Sequence, residues 1–346
     1  MRTLKVGIIG CGGIAQGAHM PGYKKIPEVE MVACCDIDEK KAKEAASKFG
    51  IAKVFTDYRD LLKIEEIEAV SVCTPNFAHK EPTIAALRAG KHVLVEKPMA
   101  MNAKEASAMV AAAKKHDRKL MVGLNNRWRA DVQALKRFVD AGELGEIYFA
   151  KAHCLRRRGI PGWGVFTQKD KQGGGPLVDL GVHIIDAVLY LMGFPRPTAA
   201  SGATYTKFGT REGLVGLMGQ WDPKNYTVED YSLGLVRFEN QSTMFVETSF
   251  AANIEKDVFD FTLLGTEGGC TLDPTRIFSE RNKTLIDISP VFLQGRSTHD
   301  IEIQKFAECI LKDEEPPVTG EQGLAVQKIM DAIYRSAELG REVSIR

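Results

Sequence analysis

The stretch that decides the fold is Val6-Gly7-Ile8-Ile9-Gly10-Cys11-Gly12-Gly13-Ile14-Ala15. In this stretch an apolar run ends in a cluster of glycines, and a segment compatible with a helix follows. A second apolar run, Val29 to Cys35, ends at Asp36. Strand, tight turn, helix, strand and acid in this order form the dinucleotide-binding pattern G-x-G-x-x-G/A, whose marked positions are Gly10, Gly12 and Ala15.

Each small residue of this pattern has a mechanical reason. Gly10 permits the sharp turn, Gly12 lets the main chain approach a pyrophosphate, and Ala15 lets the helix pack on the sheet. Unpaired N–H groups and the helix dipole favour an anion at the helix N-terminus, so we expect the pyrophosphate there. The residues predicted to surround it are Gly10, Gly12, Gly13 and Ile14.

Asp36 bears on the choice of dinucleotide. A carboxylate at this position accepts hydrogen bonds from the ribose hydroxyls of the adenosine and repels a 2′-phosphate. The residues that follow, Ile37 and Asp38, include no arginine that would neutralise such a phosphate. An aspartate here can also cap the helix that begins near Glu39, and Asp38 suits that role better. We therefore expect Asp36 to bind ribose and NAD to be the cofactor.

Length and composition limit the classes of protein. The 346 residues are enough for two domains of ordinary size, and 44% hydrophobic and 26% charged residues are typical of globular proteins. A net charge of +1 gives no electrostatic reason to expect nucleic acid or an anionic membrane as a partner. No uninterrupted apolar run approaches the length of a bilayer span, so we expect no membrane partner.

The cysteines indicate a reducing compartment. There are seven, scattered along the chain without a C-x-x-C pair, and several lie inside apolar runs. Buried free thiols are the simplest interpretation, and neither a disulfide framework nor a zinc site is indicated. We expect the protein to be cytoplasmic and to hold no metal.

Two domains follow from the order of the predicted elements. Between Lys40 and Val122 helices and buried strands alternate, which predicts a doubly wound, mostly parallel sheet. From Asn125 onward strand-like segments such as Tyr231 to Phe238 follow one another with few helices. This predicts an α+β domain with a large, mostly antiparallel sheet. We expect a Rossmann domain in residues 1–124 and the α+β domain in residues 125–346.

Two strand ends carry candidate site residues, because ligands of parallel sheets bind beyond the carboxyl ends of the strands. Thr74-Pro75-Asn76 follows one strand, with His79 close behind; Thr74 and Asn76 can bond ribose or nicotinamide, although an ordinary turn would look the same. Glu96-Lys97-Pro98 follows the next strand. A surface ion pair is the common interpretation of Glu-Lys, but its place at the cofactor edge favours function.

The second domain has one long helical stretch, Gly173 to Ala187. Asp179, His183 and Asp186 have the spacing i, i+4 and i+7, which places them on one helix face. Three interpretations are open: a hydrogen bond within the core, a metal site, or acid–base chemistry beside a nicotinamide. Nothing nearby completes a set of zinc ligands, which disfavours the second.

The pattern around Gly10, Thr74-Pro75-Asn76 and Glu96-Lys97-Pro98, in this order, resembles the Gfo/Idh/MocA family of oxidoreductases. The glycine-rich entry, the aspartate and the histidine near Asp179 and His183 match the second signature of that family. The resemblance covers essentially the whole chain. It implies that Lys97 faces the nicotinamide and the reacting carbon, that Asp179 and His183 join it around the substrate, and that open sheets of the second domains face one another in homodimers or homotetramers.

These residues suit the oxidation of an alcohol. Histidine is poised to take a proton near neutral pH, so His183 is the expected general base. Asp179 would orient its ring, and the ammonium of Lys97 would stabilise negative charge on the substrate oxygen. Lysine as the base is a second possibility, because burial lowers its pKa. Asp186 is expected to be structural.

The substrate is predicted as a sugar or cyclitol. Arg127, Arg157 and Trp163 lie where the resemblance places the sugar pocket. The run Arg156 to Arg158 would suit a carboxylate or phosphate on the sugar, unless it is solvated or lies at a subunit contact. We expect NAD-dependent oxidation of a secondary hydroxyl to a ketone, or the reverse. The alternatives are an NADP-linked reductase of keto- or anhydro-sugars, a non-catalytic dinucleotide-binding protein, and a hydrolase that uses bound NAD in a redox cycle.

Overall fold

A computed structural model describes residues 2–345, which form two compact units. The first unit joins the chain up to residue 125 with residues 296–324, and the second joins residues 126–295 with the chain from residue 325 onward. Residues 296–324, which we expected in the second domain, therefore pack with the first. In this segment Ile303 lies so close to Gly22 that a Cβ at Gly22 would be 3.0 Å from its side chain.

The first unit contains a six-stranded sheet in which every strand is parallel to its neighbours, in the order β3-β2-β1-β4-β5-β6. Its strands are β1 Leu4–Ile9, β2 Val29–Cys35, β3 Lys53–Phe55, β4 Ala69–Val72, β5 His92–Glu96 and β6 Leu120–Gly123. Strands buried on both faces need continuous apolar runs, as in β4, where all residues are buried. The doubly wound parallel sheet predicted from the sequence is confirmed.

Helices connect these strands. They are α1 Met20–Lys24, α2 Glu39–Phe49, α3 Tyr58–Leu62, α4 Lys80–Arg88 and α5 Ala103–His116. A π-helical turn, Ala15–His19, precedes α1 without interruption. Asp38 caps α2 by accepting bonds from the N–H groups of Lys40 and Lys41, which confirms the role predicted for it.

The second unit contains a nine-stranded sheet. Its strands include β7 Ile147–Leu155, β8 Pro197–Tyr205, β9 Tyr231–Phe238, β10 Thr243–Ser249, β11 Val258–Gly265, β12 Gly268–Thr271, β13 Arg276–Arg281 and β14 Thr284–Ile288. The order is β14-β13-β12-β11-β7-β10-β9-β8-β15, where β15 is Val343–Ser344; only β7 and β10 pair in parallel. The large, mostly antiparallel sheet is confirmed.

Helices between residues 126 and 295 accompany this sheet. They are α6 Ala130–Asp140, α7 Lys169–Gln172 and α8 Val182–Met192. The helical stretch Lys169–Met192 is long and apolar enough to cross a membrane, judged by length and composition only. We expected no such span from the sequence. In the structure 83% of the apolar 18-residue segment within this stretch is buried inside the protein. Its second half, α8, packs against β7 and β11 and is the core helix of this unit.

The C-terminal part of the chain contributes to both units. Helix α9, Thr298–Leu311, packs against α1 in the first unit. Helix α10, Gly320–Leu339, begins in the first unit and continues in the second. All seven cysteines are buried and free, as the sequence predicts.

Gly10 determines how the first strand ends. Its φ is +90°, and a Cβ there would lie 2.7 Å from the carbonyl carbon and oxygen of Cys73 at the end of β4. Both the left-handed backbone and the close approach therefore require glycine.

Replacing Gly10 should destabilise the first unit by more than the cost of placing an L-residue in a left-handed backbone conformation. Gly50 has a φ of +75° but open space around it, so Gly50→Ala is the matched control. We expect Gly50→Ala to lower the free energy of unfolding by about 1–2 kcal/mol, the cost of an L-residue in this region. Gly10→Ala should lose clearly more because its methyl group meets the main chain of Cys73. Urea unfolding of both variants measures the difference, and equal losses would contradict the steric argument.

Candidate active site

The glycine turn leaves room for a ligand. A Cβ at Gly12 or Gly13 would meet no atom of the described chain within 4 Å, so packing does not require glycine at either position. The turn opens at the N-terminus of the first helix, and Ala15 is fully buried beneath it. Open space above glycines at a helix N-terminus fits the pyrophosphate of a dinucleotide.

Asp36 is held in place by the main chain. One carboxylate oxygen accepts from the N–H of Cys11 at 2.8 Å, and the other accepts from the N–H of Asp38 at 2.9 Å. The side chain is only partly buried, and each oxygen retains a lone pair for a ribose hydroxyl. Beside it Ile37 is 95% exposed, an apolar surface that the sequence analysis did not assign to the site. This arrangement fits the adenosine end of the dinucleotide.

The loop after β4 is organised by His79. This residue is 1% exposed, and its ring nitrogens lie 2.8 Å from the carbonyl oxygen of Pro98 and 2.7 Å from that of Thr74. Burial lowers the pKa of His79, although both carbonyls oppose the shift. The ring thus joins two loops at the sheet edge, and the place of His79 among the cofactor-binding residues stays a prediction. Thr74 donates to the carbonyl of Ala78 at 2.9 Å, and Asn76 begins the following turn, 9% exposed.

The loop after β5 is organised by Glu96. It is 6% exposed; one carboxylate oxygen lies 2.8 Å from Nε2 of His19, and the other accepts from the N–H of Lys97 at 3.1 Å. Burial alone would raise the pKa of Glu96, but the hydrogen bond and charge of His19 and the charge of Lys97 lower it to about 2. Both carboxylate oxygens of Glu96 therefore interact with protein groups, and its contact with the cofactor stays a prediction. Lys97 is partly exposed at the same edge.

His19 is a residue that the sequence analysis missed. It is fully buried in the π-helical turn that follows the glycines. A single histidine in a helix of small and apolar residues is not distinguishable by sequence from a core histidine, because its partner Glu96 lies 77 residues away in the chain.

The second unit supplies Asp179 and His183. Asp179 is 7% exposed and lies in the π-helical turn Leu177–Gly181, while His183 is half-buried in the first turn of α8. His183 and Asp186 lie three residues apart in the regular helix α8, so they are neighbours on its surface. The π turn changes only the position of Asp179 relative to them, and a face shared by all three stays a prediction. Lys97 belongs to the first unit, and its meeting with His183 at one substrate stays a prediction.

Asp186 instead holds Arg127. Nε of Arg127 donates to one carboxylate oxygen at 2.8 Å and Nη2 donates to the other at 2.5 Å. The guanidinium carbon lies 5.3 Å from the ring centre of Tyr190 and 4.8 Å from that of Phe194. Arg127 is 0% exposed, so its side chain is a structural element of the core. We predicted that it lines a sugar pocket, and its complete burial contradicts this prediction. Asp186 is structural, as expected.

The arginine run secures a loop. Each guanidinium donates to a main-chain carbonyl: Arg156 to Gly159 at 3.2 Å, Arg157 to Glu255 at 3.0 Å and Arg158 to Ala252 at 2.9 Å. Arg157 is nevertheless exposed, as is Trp163, which lies edge-on to the ring of Phe166 and is 54% exposed. Among residues 2–345 no group of three or more His, Cys, Asp or Glu side chains could hold a metal ion.

Comparison with known proteins assigns both parts of the chain to one family. The family model described as "Oxidoreductase family, NAD-binding Rossmann fold" of the Gfo/Idh/MocA proteins matches residues 4–124. The model of the same proteins described as "Oxidoreductase family, C-terminal alpha/beta domain" matches residues 136–345.

Individual relatives are sugar dehydrogenases. D-glucoside 3-dehydrogenase of Escherichia coli (strain K12) is 38% identical over 343 residues, which cover 99% of this chain and 97% of that protein. Levoglucosan dehydrogenase of Pseudarthrobacter phenanthrenivorans is 30% identical over 300 residues, 80% of this chain and 75% of that protein. A solved structure of levoglucosan dehydrogenase in complex with NADH and L-sorbose is 25% identical, with a TM-score of 0.87 and complete coverage of both chains.

Because Arg127 is paired with Asp186 in the core, we predict that removing the charge of Asp186 strongly lowers the stability of the protein. Breaking a buried ion pair on one side costs about 3–5 kcal/mol, because the other charge stays buried without compensation. We expect a loss of this size in the free energy of unfolding of Asp186→Asn. The exposed pair Arg196–Glu239 provides the control, and Glu239→Gln should cost about 0–1 kcal/mol. Chemical denaturation measures both, and a small loss for Asp186→Asn would return Arg127 to the candidate substrate residues.

Proposed function

The chain belongs to the Gfo/Idh/MocA family of oxidoreductases, and we propose that it oxidises a secondary ring hydroxyl of a D-glucoside to a ketone with NAD as the acceptor. At the coarser level it is an NAD(P)-dependent oxidoreductase that acts on sugar hydroxyls. The observation that carries the proposal is the arrangement at the carboxyl edge of the six-stranded sheet. There an open glycine turn, the anchored Asp36 and Lys97 follow β1, β2 and β5.

Asp36 supports NAD over NADP. Its carboxylate is fixed by two main-chain N–H groups, so it keeps its position when a ribose binds. A 2′-phosphate at the same place would be repelled by this charge, and neither Ile37 nor Asp38 offers a compensating cation. The exposed side chain of Ile37 provides an apolar surface for the adenine.

The chemistry divides among three side chains. The glycine turn and Asp36 would hold NAD, which when bound would supply the acceptor for the hydride of the carbinol carbon. His183 takes the proton of the hydroxyl, since an imidazole is the side chain best suited to this near neutral pH. Asp179, one turn before it, orients the ring and stabilises its charged form, and Lys97 binds the substrate oxygen as negative charge develops on it.

The substrate assignment rests on the relatives and on the arginine run. A D-glucoside oxidised at C3 is favoured because D-glucoside 3-dehydrogenase matches nearly the whole chain. The guanidinium groups of Arg156, Arg157 and Arg158 hold main-chain carbonyls, which disfavours a cluster devoted to a phosphate. Trp163 offers an exposed aromatic face, which suits a sugar ring.

We also propose that the protein forms a homodimer or homotetramer through the outer face of the nine-stranded sheet. On this face apolar side chains pair across neighbouring strands: Phe245 opposes Leu235, and Leu264 opposes Phe149. The next residues along β7 and β10, Ala150 and Val246, are fully buried on the other face. A half-exposed apolar face of this kind supports self-association.

A direct assay tests the reaction. Purified protein is incubated with NAD or NADP and methyl glucosides, glucose, inositols, uronic acids or glucose 6-phosphate, and absorbance of the reduced cofactor is followed. We expect turnover with a glucoside and NAD, a 3-keto product by NMR, and a kcat lower by about 100-fold or more in His183→Asn because the general base is lost. His116→Asn, in α5, is the control and should keep its kcat.

Three results would contradict parts of the proposal. Undiminished turnover by His183→Asn would remove the proposed base. A preference for NADP would contradict the role of Asp36, and faster oxidation of glucose 6-phosphate would favour the sugar-phosphate alternative that the arginine run leaves open.

The oligomer is tested by introducing a charge into the outer sheet face. Leu264→Lys should raise the monomer fraction in size-exclusion chromatography with light scattering, because a buried lysine would oppose association. Leu339, at the end of α10, has a similar exposure of 40% against 37% for Leu264, so Leu339→Lys is the matched control. A monomeric wild-type protein would disprove the proposal.

A further inference from the structure

We propose that His19 is a positioning residue for Lys97: its imidazole holds the carboxylate of Glu96, and Glu96 in turn holds the main chain of Lys97. The inference rests on the proposed function, in which Lys97 acts at the reacting carbon. It extends that function to a residue that touches neither cofactor nor substrate.

His19 lies where the cofactor-binding helix can be tied to the sheet edge. It ends the π-helical turn Ala15–His19, which begins just after the glycines that would hold the pyrophosphate. Its side chain is 0% exposed. The same rigid helix thus presents its N-terminus to the pyrophosphate and this imidazole to β5.

The connection consists of two hydrogen bonds in series. Nε2 of His19 lies 2.8 Å from Oε1 of Glu96, and Oε2 of Glu96 accepts from the N–H of Lys97 at 3.1 Å. The other ring nitrogen lies 3.1 Å from Oγ of Ser71, and this hydroxyl lies 2.7 Å from that of Tyr23. Both edges of the imidazole are therefore held, and its orientation toward Glu96 is determined.

The first of these bonds joins two ionisable groups. Burial lowers the pKa of His19, but its neighbours raise it above its usual value, and the hydrogen bond and charge of Glu96 are among the causes. Despite its burial, the bond to His19 in turn lowers the pKa of Glu96 to about 2, so each group favours the charged form of the other. The other titratable groups that interact with the pair are Cys73 after β4, His79 before α4, Lys97 after β5, and His299 and Glu302 on α9. Tyr23 of α1 is joined to the pair through Ser71.

A structural role alone does not explain this pair. Removing two charges from water offsets much of their attraction, so apolar side chains of similar size would stabilise the fold as well or better. The chain also makes room for the carboxylate, since a Cβ at Gly123 on β6 would lie 3.3 Å from Oε1 of Glu96. The charged pair lies directly before Lys97, where an error of about 1 Å in the position of a reacting group costs about 100-fold in rate.

Two substitutions of His19 separate positioning from folding. Glutamine still reaches Glu96 with its amide, whereas asparagine is too short and reaches only toward Ser71. We expect His19→Asn to lower kcat by about 10- to 100-fold while KM for NAD and the dissociation constant of NADH stay within about threefold. His19→Gln should recover much of the lost kcat, because it restores the bond to Glu96.

Two further variants complete the experiment. Gly123→Ala pushes on Glu96 without changing His19, and it should lower kcat in the same selective way. His92→Asn is the control: His92 begins β5 at its opposite end, where its ring accepts from the N–H of Lys119, and kcat should be unchanged. If His19→Asn does not fold, His19→Gln and Gly123→Ala are judged by the same criteria.

Two different results would overturn the proposal. One is a kcat within twofold of the wild-type value in both His19→Asn and Gly123→Ala. A parallel loss of NADH binding, stability and kcat, without recovery in His19→Gln, would assign His19 to the fold alone.

A second measurement does not depend on turnover, so it separates this proposal from the proposed function. Reductive ¹³C-methylation makes each lysine visible by NMR, and the signal of Lys97 is the one missing in Lys97→Arg. We expect its chemical shift and titration to change in His19→Asn and not in His92→Asn. An unchanged signal of Lys97 in His19→Asn would overturn the positioning role, whether or not the wild-type protein oxidises a sugar. Failure of the wild-type protein to oxidise any sugar tested would count against the proposed function alone.

Discussion

The absence of a side chain at residue 10 is the constraint on which the nucleotide-binding half depends. Because Gly10 has a φ of +90° and lies against the carbonyl of Cys73, β1 ends beside β4 and the chain turns at once into a helix. That turn presents the N–H of Cys11 to Asp36 and leaves open space above Gly12. One close contact between main chains thus sets the direction of the helix N-terminus and the position of Asp36.

A buried pair of ionisable side chains is described in each unit, and the two pairs differ in what surrounds them. Arg127 and Asp186 lie among aromatic rings in the second unit, where the guanidinium is enclosed by Tyr190 and Phe194. His19 and Glu96 lie at the carboxyl edge of the parallel sheet, one residue from Lys97. Since desolvation makes such pairs poor sources of stability, their value lies in specifying one arrangement of the groups around them.

The same side-chain types serve different purposes in this protein. Arg127, which we predicted in the sugar pocket, is enclosed in the core, and the arginine run that would suit an anionic sugar supports main-chain carbonyls. Histidines at the sheet edge, His19 and His79, form hydrogen bonds with protein groups. For these reasons we propose a neutral sugar as the substrate, with His183 as the base.

The sequence alone determined the parallel sheet, the mostly antiparallel second sheet, the glycine turn and the helix cap at Asp38, because these depend on local patterns of burial, turn and capping. Only the tertiary structure decided that residues 296–324 return to the first unit, that Arg127 is structural and that Glu96 faces His19. The two side-chain pairings join residues that are 59 and 77 positions apart in the chain. Local spacing carries no information about either, since a side chain's role is set by whatever the fold brings against it.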